Sequence, residues 1–151
     1  MTVQDVFDIA IRLMDSQNES TGSTNTTDTR EYALRTPSLI NSLLDQVYPA
    51  SDTYTPGTNG LRSTLFSVSA LEDYLDLDDA ICRNVLPFGL AGLLLTEENP
   101  TLANFFWQTF LENLRQAKSS LPSSIESVED VYGTGCPMDG GLEYGWFSRW
   151  G

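Results

Sequence analysis

Apolar residues recur at helical spacing in several stretches of this chain, separated by polar runs with no such rhythm. Val3, Val6, Phe7, Ala10, Leu13 and Met14 fall on one face, which predicts an amphipathic helix over 3–14. Thr2 and Asp5 stand where a capping box would place them. A second pattern, Leu39, Ile40, Leu43, Leu44 and Val47, predicts a helix from near Asp28 to Tyr48. Asp28 and Glu31 have cap-and-N3 spacing at its start, and Pro49 ends it. Pro37 should kink this helix or mark its true beginning. Farther on, Asp76 or Asp78 should cap a helix running to about residue 95. Asn99-Pro100 then opens another over 100–118, since Asn is a good cap and Pro loses no needed hydrogen bond at the first helical position. Leu102, Ala103, Phe106, Phe110 and Leu114 make its buried stripe, and Phe105, Trp107 and Leu111 widen it. Only "TEEN" separates the two, so helices 79–95 and 100–118 should form an antiparallel hairpin.

The stretches between are of other kinds. Residues 16–29, "SQNESTGSTNTTDT", read as a solvated loop. Residues 49–70 carry Pro-Gly and Asn-Gly turn signals, and Thr64–Val68 is suited to one arm of a short β-ribbon. Irregular segments of that length in a small domain are usually functional. After Pro122, "SSIESVEDVYG" suggests one or two helical turns capped by Ser123 and Glu126. "GTGCPMDGG" follows as a flexible joint, and then "LEYGWFSRWG". The predicted fold is mainly α. It is a small bundle of about four helices with a long irregular arm or short β-ribbon and an extended C-terminal tail. Residues 1–132 would be the helical domain with its arm at 49–70, and 133–151 the joint and docking tail.

One segment breaks the usual rule for helices. "VLPFGLAGLLLTEENP", 85–100, begins with the most apolar run in the chain, yet it includes Pro87, Gly89 and Gly92. The two glycines lie on nearly one side of the helix, where their lack of a side chain lets another backbone approach. They are therefore candidate contact residues, within the 79–118 hairpin or between subunits. Pro87 deprives the carbonyl of Arg83 of its helical partner, which predicts a kink over 83–87.

Composition narrows the functional classes. The formal charge is −13, from 21 acids against 8 bases, which argues against binding a phosphate backbone. There is no histidine, so His-based catalysis and His-ligated metal sites are excluded. Cys82 and Cys136 form no CxxC and read as free thiols, Cys82 buried in a helix. The N-terminus has acids where a secretion signal has bases. The apolar run at 85–95 is short of the roughly 18–20 residues that span a bilayer. A soluble protein with no cofactor is expected. Glu72, Asp73, Asp76, Asp78 and Asp79 match no calcium-loop spacing and read as a capped, solvated helix start. Tyr144, Trp146, Phe147 and Trp150 with Arg149 crowd the last residues. These are the residue types that anchor interfaces, and a tail so short cannot bury them against itself, so it either folds back on its own domain or docks into a partner.

"LDDAICRNVLPFGLAGLLLTEENPTLANFFWQTFLENL", followed by "EDVYG" and "GLEYGWFSRW", resembles the head–tail connector (adaptor) proteins of tailed bacteriophages and prophages. The likeness rests on Leu77-Asp78-Asp79, Leu86-Pro87-Phe88-Gly89-Leu90, Glu98-Asn99, Leu102-Ala103 and Phe105-Phe106. It also draws on Glu143-Tyr144-Gly145 with Phe147, Arg149 and Trp150, and more weakly on Tyr48-Pro49, Ser51-Asp52 and Tyr54. It covers the 77–112 hairpin best. Pro37 and the longer "TGCPMDG" segment depart from the family pattern.

The resemblance implies a helical structural protein of the virion neck, assembled in the bacterial cytoplasm. It implies a ring, commonly of about twelve copies, between the portal protein and a downstream neck or tail protein. Genomic DNA would pass through the lumen without specific binding. Glu143, Tyr144, Trp146, Phe147, Arg149 and Trp150 would dock on the portal. The composition is compatible, because an acidic lumen repels DNA. An enzyme built on paired carboxylates is disfavoured: Asp78/Asp79 and Glu97/Glu98 lie at opposite ends of one predicted helix, roughly 27 Å apart at about 1.5 Å per residue. The competing reading is a phage-encoded chaperone or regulator that binds one partner through its aromatic tail.

Overall fold

A computed structural model describes residues 1–16 and 18–120. Five α-helices make up the described part: α1 (Val3–Leu13), α2 (Arg30–Val47), α3 (Asp79–Asn84), α4 (Leu86–Leu94) and α5 (Pro100–Ser120). A 3₁₀ turn, Tyr48–Ala50, follows α2. The chain is thus a small, mainly helical bundle. The expected boundary at 132, the turns after Pro122, Cys136, the joint and the tail lie outside the described residues.

Helix α4 is the centre of the bundle. It packs against α1, α2, α3 and α5. Leu86, Pro87, Gly89, Leu90, Ala91, Gly92 and Leu94 are all buried. A helix apolar on every side belongs inside a core, and here the amphipathic helices cover it. From α1 come Val3, Val6, Phe7, Ala10 and Ile11; from α2 Ile40, Leu43, Leu44 and Val47; from α5 Ala103, Phe106, Phe110 and Leu114. In α5 the expected broadening divides. Trp107 is half-buried, while Phe105 and Leu111 face solvent.

Three of the expected caps form. Thr2 accepts the Asp5 amide at 3.3 Å and Asp5 returns the bond to the Thr2 amide at 2.9 Å, a capping box. The next orphan amides of α1 are taken by the chain that leads into α3: Val3 N–H donates to Asp73 O at 3.0 Å and Gln4 N–H to Leu71 O at 2.7 Å. Asp78 caps α3 through the Ile81 amide at 2.7 Å, and Asn99 caps α5 through Leu102 at 3.1 Å.

The start of α2 differs from expectation. It begins at Arg30, and Asp28 is not its cap. Thr29 stands at the cap position with αR backbone, so its hydroxyl does not reach the helix amides. The side chain is buried and turns back on the loop instead. It donates to Thr24 O at 2.6 Å and accepts the Thr26 amide at 2.9 Å. Thr24 in turn donates to Asp8 of α1 at 2.7 Å. The segment 16–29 is therefore tied into the bundle at Thr24 and Thr29 rather than wholly solvated. Pro37 lies inside α2 and does not mark its start.

The kink expected at 83–87 is a break. Val85, with φ −112 and ψ −62, separates α3 from α4, and Pro87 falls in the first turn of α4, where its missing N–H costs nothing. The break frees the Asn84 carbonyl, which accepts from the side-chain amide of Asn113 on α5 at 2.6 Å. No β-ribbon forms at 64–68. The only strand-like pairing among the described residues is an isolated antiparallel bridge between Thr2 and Tyr74.

Candidate partner-contact surfaces

Gly89 and Gly92 both face neighbouring helices of the same bundle. A Cβ at Gly89 would lie 2.8 Å from Phe110 Cδ2 and 3.1 Å from Leu43 Cδ1, and both residues are buried. A Cβ at Gly92 would lie 3.2 Å from the Ala103 carbonyl oxygen and 3.2 Å from the Trp107 amide nitrogen. The first glycine admits an aromatic ring, and the second admits the backbone of α5. The Trp107 and Phe110 rings stack at 4.9 Å over this close crossing. Of the two contacts open on the sequence, the intrachain one accounts for both glycines. The proposed docking residues Glu143, Tyr144, Trp146, Phe147, Arg149 and Trp150 lie outside the described residues.

The segment between Ser51 and Ala70 is an irregular arm with a defined base. Asn41 of α2 clamps one limb: its side-chain amide donates to Val68 O at 2.8 Å, and its carbonyl accepts the Val68 amide at 2.9 Å. Tyr48 holds the other. Its hydroxyl accepts the Thr55 amide at 3.2 Å, and its ring packs edge-on against Tyr54 at 5.2 Å and Phe66 at 6.2 Å. The Ser63 hydroxyl ties the limbs by donating to Thr55 O. Below them, the Asp52 amide donates to Asp78 and the Thr53 hydroxyl to Asp76 O, which anchors the arm beside the start of α3. At the tip, Asn59 and Gly60 have φ of 56 and 76, and Leu61 N–H returns to Thr58 O at 3.0 Å. That is the pattern of a hairpin turn of the primed type. A Cβ at Gly57 would collide with the Leu61 carbonyl. Asn41 escaped the sequence reading. Asn41 and Ser42 both stand between Ile40 and Leu43, and nothing in that spacing marks one of them as a clamp.

The acids near α3 serve local structure. Asp73 accepts the amides of Ser69 and Ala70, which holds its carboxyl below the ordinary range. The amide and hydroxyl of Thr2 lower Asp5 in the same way. Asp79 pairs with Arg83 at 3.5 Å, and Glu112 with Arg115 at 3.0 Å. Both pairs are exposed, so each adds little. Arg12 and Arg83 line an open cleft beside α1, but Asp5 and Asp8 line it too, so the cleft has no net pull on an anion. In the core, burial pushes the Cys82 thiol up to about 11, out of the nucleophilic range. Burial first, and the Glu98 carboxylate second, push the Tyr32 phenol up to about 12. A comparison with protein-family models, curated proteins and solved structures found no match to this chain.

Proposed function

We propose that this chain is a structural subunit of a tailed-phage neck: a connector that assembles as a ring against the portal protein and leaves a channel for DNA. The observation that carries the reading is the resemblance of residues 77–112 and of the aromatic run at 143–150 to the adaptor family. One further feature supports it. The net charge of −13 suits a wall past which DNA slides without sticking.

In this reading the helical body is the wall and the tail is the anchor. The test is attachment to portal protein from the same genome, compared between the full chain and a 142–151 deletion. The full chain should bind in many copies. The truncated chain should keep its helical fold and lose attachment. A chain that stays monomeric with portal present, yet captures one other partner through its tail, would favour the chaperone or regulator reading.

A further inference from the structure

We propose that the arm is the element through which one copy of this chain docks on the acidic surface of a second copy. The inference rests on the ring reading above and assigns a contact surface that the reading leaves open. Residues 53–71 are the longest stretch of the sequence without Asp or Glu, in a chain that carries 21 acids, and their single charge is Arg62. Among the described residues the next longest acid-free stretches, 32–44, 80–96 and 99–111, lie largely in helices with a buried face. This one is largely exposed. Leu61 is 74% exposed, and Tyr54 and Leu65 also stand out from the surface.

An apolar, weakly cationic projection meets no like charge on a neighbouring copy that carries 21 acids against 8 bases, whereas acidic faces of two copies repel each other. One base is too little for nucleic acid, so a second copy of the chain is the partner whose charge complements the arm. The presentation is suited to docking. The Asn41 clamp, the Tyr48 ring and the Ser63 tie fix the base and limbs, so little ordering is needed on contact. Among the described residues, 62–67 make no backbone–backbone hydrogen bond, which leaves their amides and carbonyls available to a partner. Contact between an arm and a surface that is not an arm is head-to-tail. Repeated, such a contact makes a ring where the rotation between copies closes.

The experiment measures assembly of the full chain, alone and on portal protein, by sedimentation and native mass. Leu61→Asp and Arg62→Glu each place an acid in the arm. The control, Phe105→Asp, alters an exposed apolar residue (60%) on α5. The arm variants should weaken copy–copy association by roughly tenfold or more, with unchanged circular dichroism, and the control should assemble like the parent. In parallel, a photo-cross-linking phenylalanine at Leu65 in the assembled protein, prepared from isotopically mixed copies, should join two different chains. That readout stands even if a charged variant folds poorly. If the parent assembles and the arm variants match it, or if the cross-links are only intrachain or to portal, the arm proposal is wrong and the ring reading survives. If the control fails as badly as the arm variants, the arm is not the contact. If the parent never self-associates, with or without portal, the ring reading and the arm proposal fall together.

Discussion

Helix α4 carries Pro87, Gly89 and Gly92, and the arm carries Pro56, Gly57 and Gly60. The residue types are the same, and their use is opposite. In α4 the glycines keep helical backbone, and what matters is the missing Cβ: the space is filled by Phe110 at one and by the α5 backbone at the other. In the arm, Gly60 is used for its positive φ, and nothing lies within 4 Å of its absent Cβ. Gly57 lets the chain turn back on itself at Leu61. Pro87 opens a helix, whereas Pro56 precedes a turn. Glycine and proline therefore mark close approach in one place and chain reversal in the other. The flanking pattern distinguishes them, continuous apolar residues against Thr, Asn and Ser.

The largest effects should come from filling the helix contact. Gly89→Leu and Gly92→Leu should each cost about 1–3 kcal/mol by overpacking, lowering the melting temperature by several degrees. Gly89→Ala should also destabilise. The usual gain of about 0.5–1 kcal/mol for Gly→Ala in a helix is reversed by the Phe110 ring. A melting temperature at or above the parent's in all three would mean that α5 does not approach α4 closely.

Next come the buried and capping polar groups. Thr29→Val strands the Thr24 carbonyl and should cost about 1–3 kcal/mol, while Asp28→Ala should stay within roughly 0.5 kcal/mol. Equal effects in urea titrations would restore Asp28 as the cap. Asp78→Ala should cost about 1 kcal/mol through α3.

Alkali should weaken the core. Cys82 and Tyr32 hold their protons more tightly when folded than when unfolded. Each contributes stability that is fully present below its unfolded value, 9.0 for Cys82 and 10.0 for Tyr32. That stability is lost as pH rises through the folded values, about 11 and about 12. Melts from pH 8 to 12 should show the decline. Cys82→Ala should flatten it at its lower end and Tyr32→Phe at its upper end. Unchanged curves for both variants would place these groups outside the core.

The smallest effect on melting should come from Gly60→Ala. The φ of 76 is costly for alanine, but the strain falls on a tip with no core contact. Global melting should barely move, while proteolysis of the arm accelerates. A large drop in melting temperature would mean that the arm is part of the core.

What was legible in the sequence was local. The Thr2–Asp5 box, the Asp78 and Asn99 caps and the helical stripes depend on residues a few positions apart, and all of them form. The start of α2 was misread because Thr29 answers to Thr24 and, through it, to Asp8 in another helix, so a correct i,i+3 spacing at Asp28 carried no bond. Thr64–Val68 has strand-like residues, but its edges meet Asn41 and Tyr48 instead of a second strand. The break at Val85 was legible from Pro87. Its repair by Asn113, 29 positions on, was not.

The most direct test of the connector account is the native mass of the full chain mixed with portal protein, run beside the 142–151 deletion. The account predicts a complex holding many copies of the chain per portal. It also predicts a truncated protein that melts like the parent and remains free. A full chain that stays monomeric beside the portal, or a truncated chain that attaches as well as the parent, would contradict it.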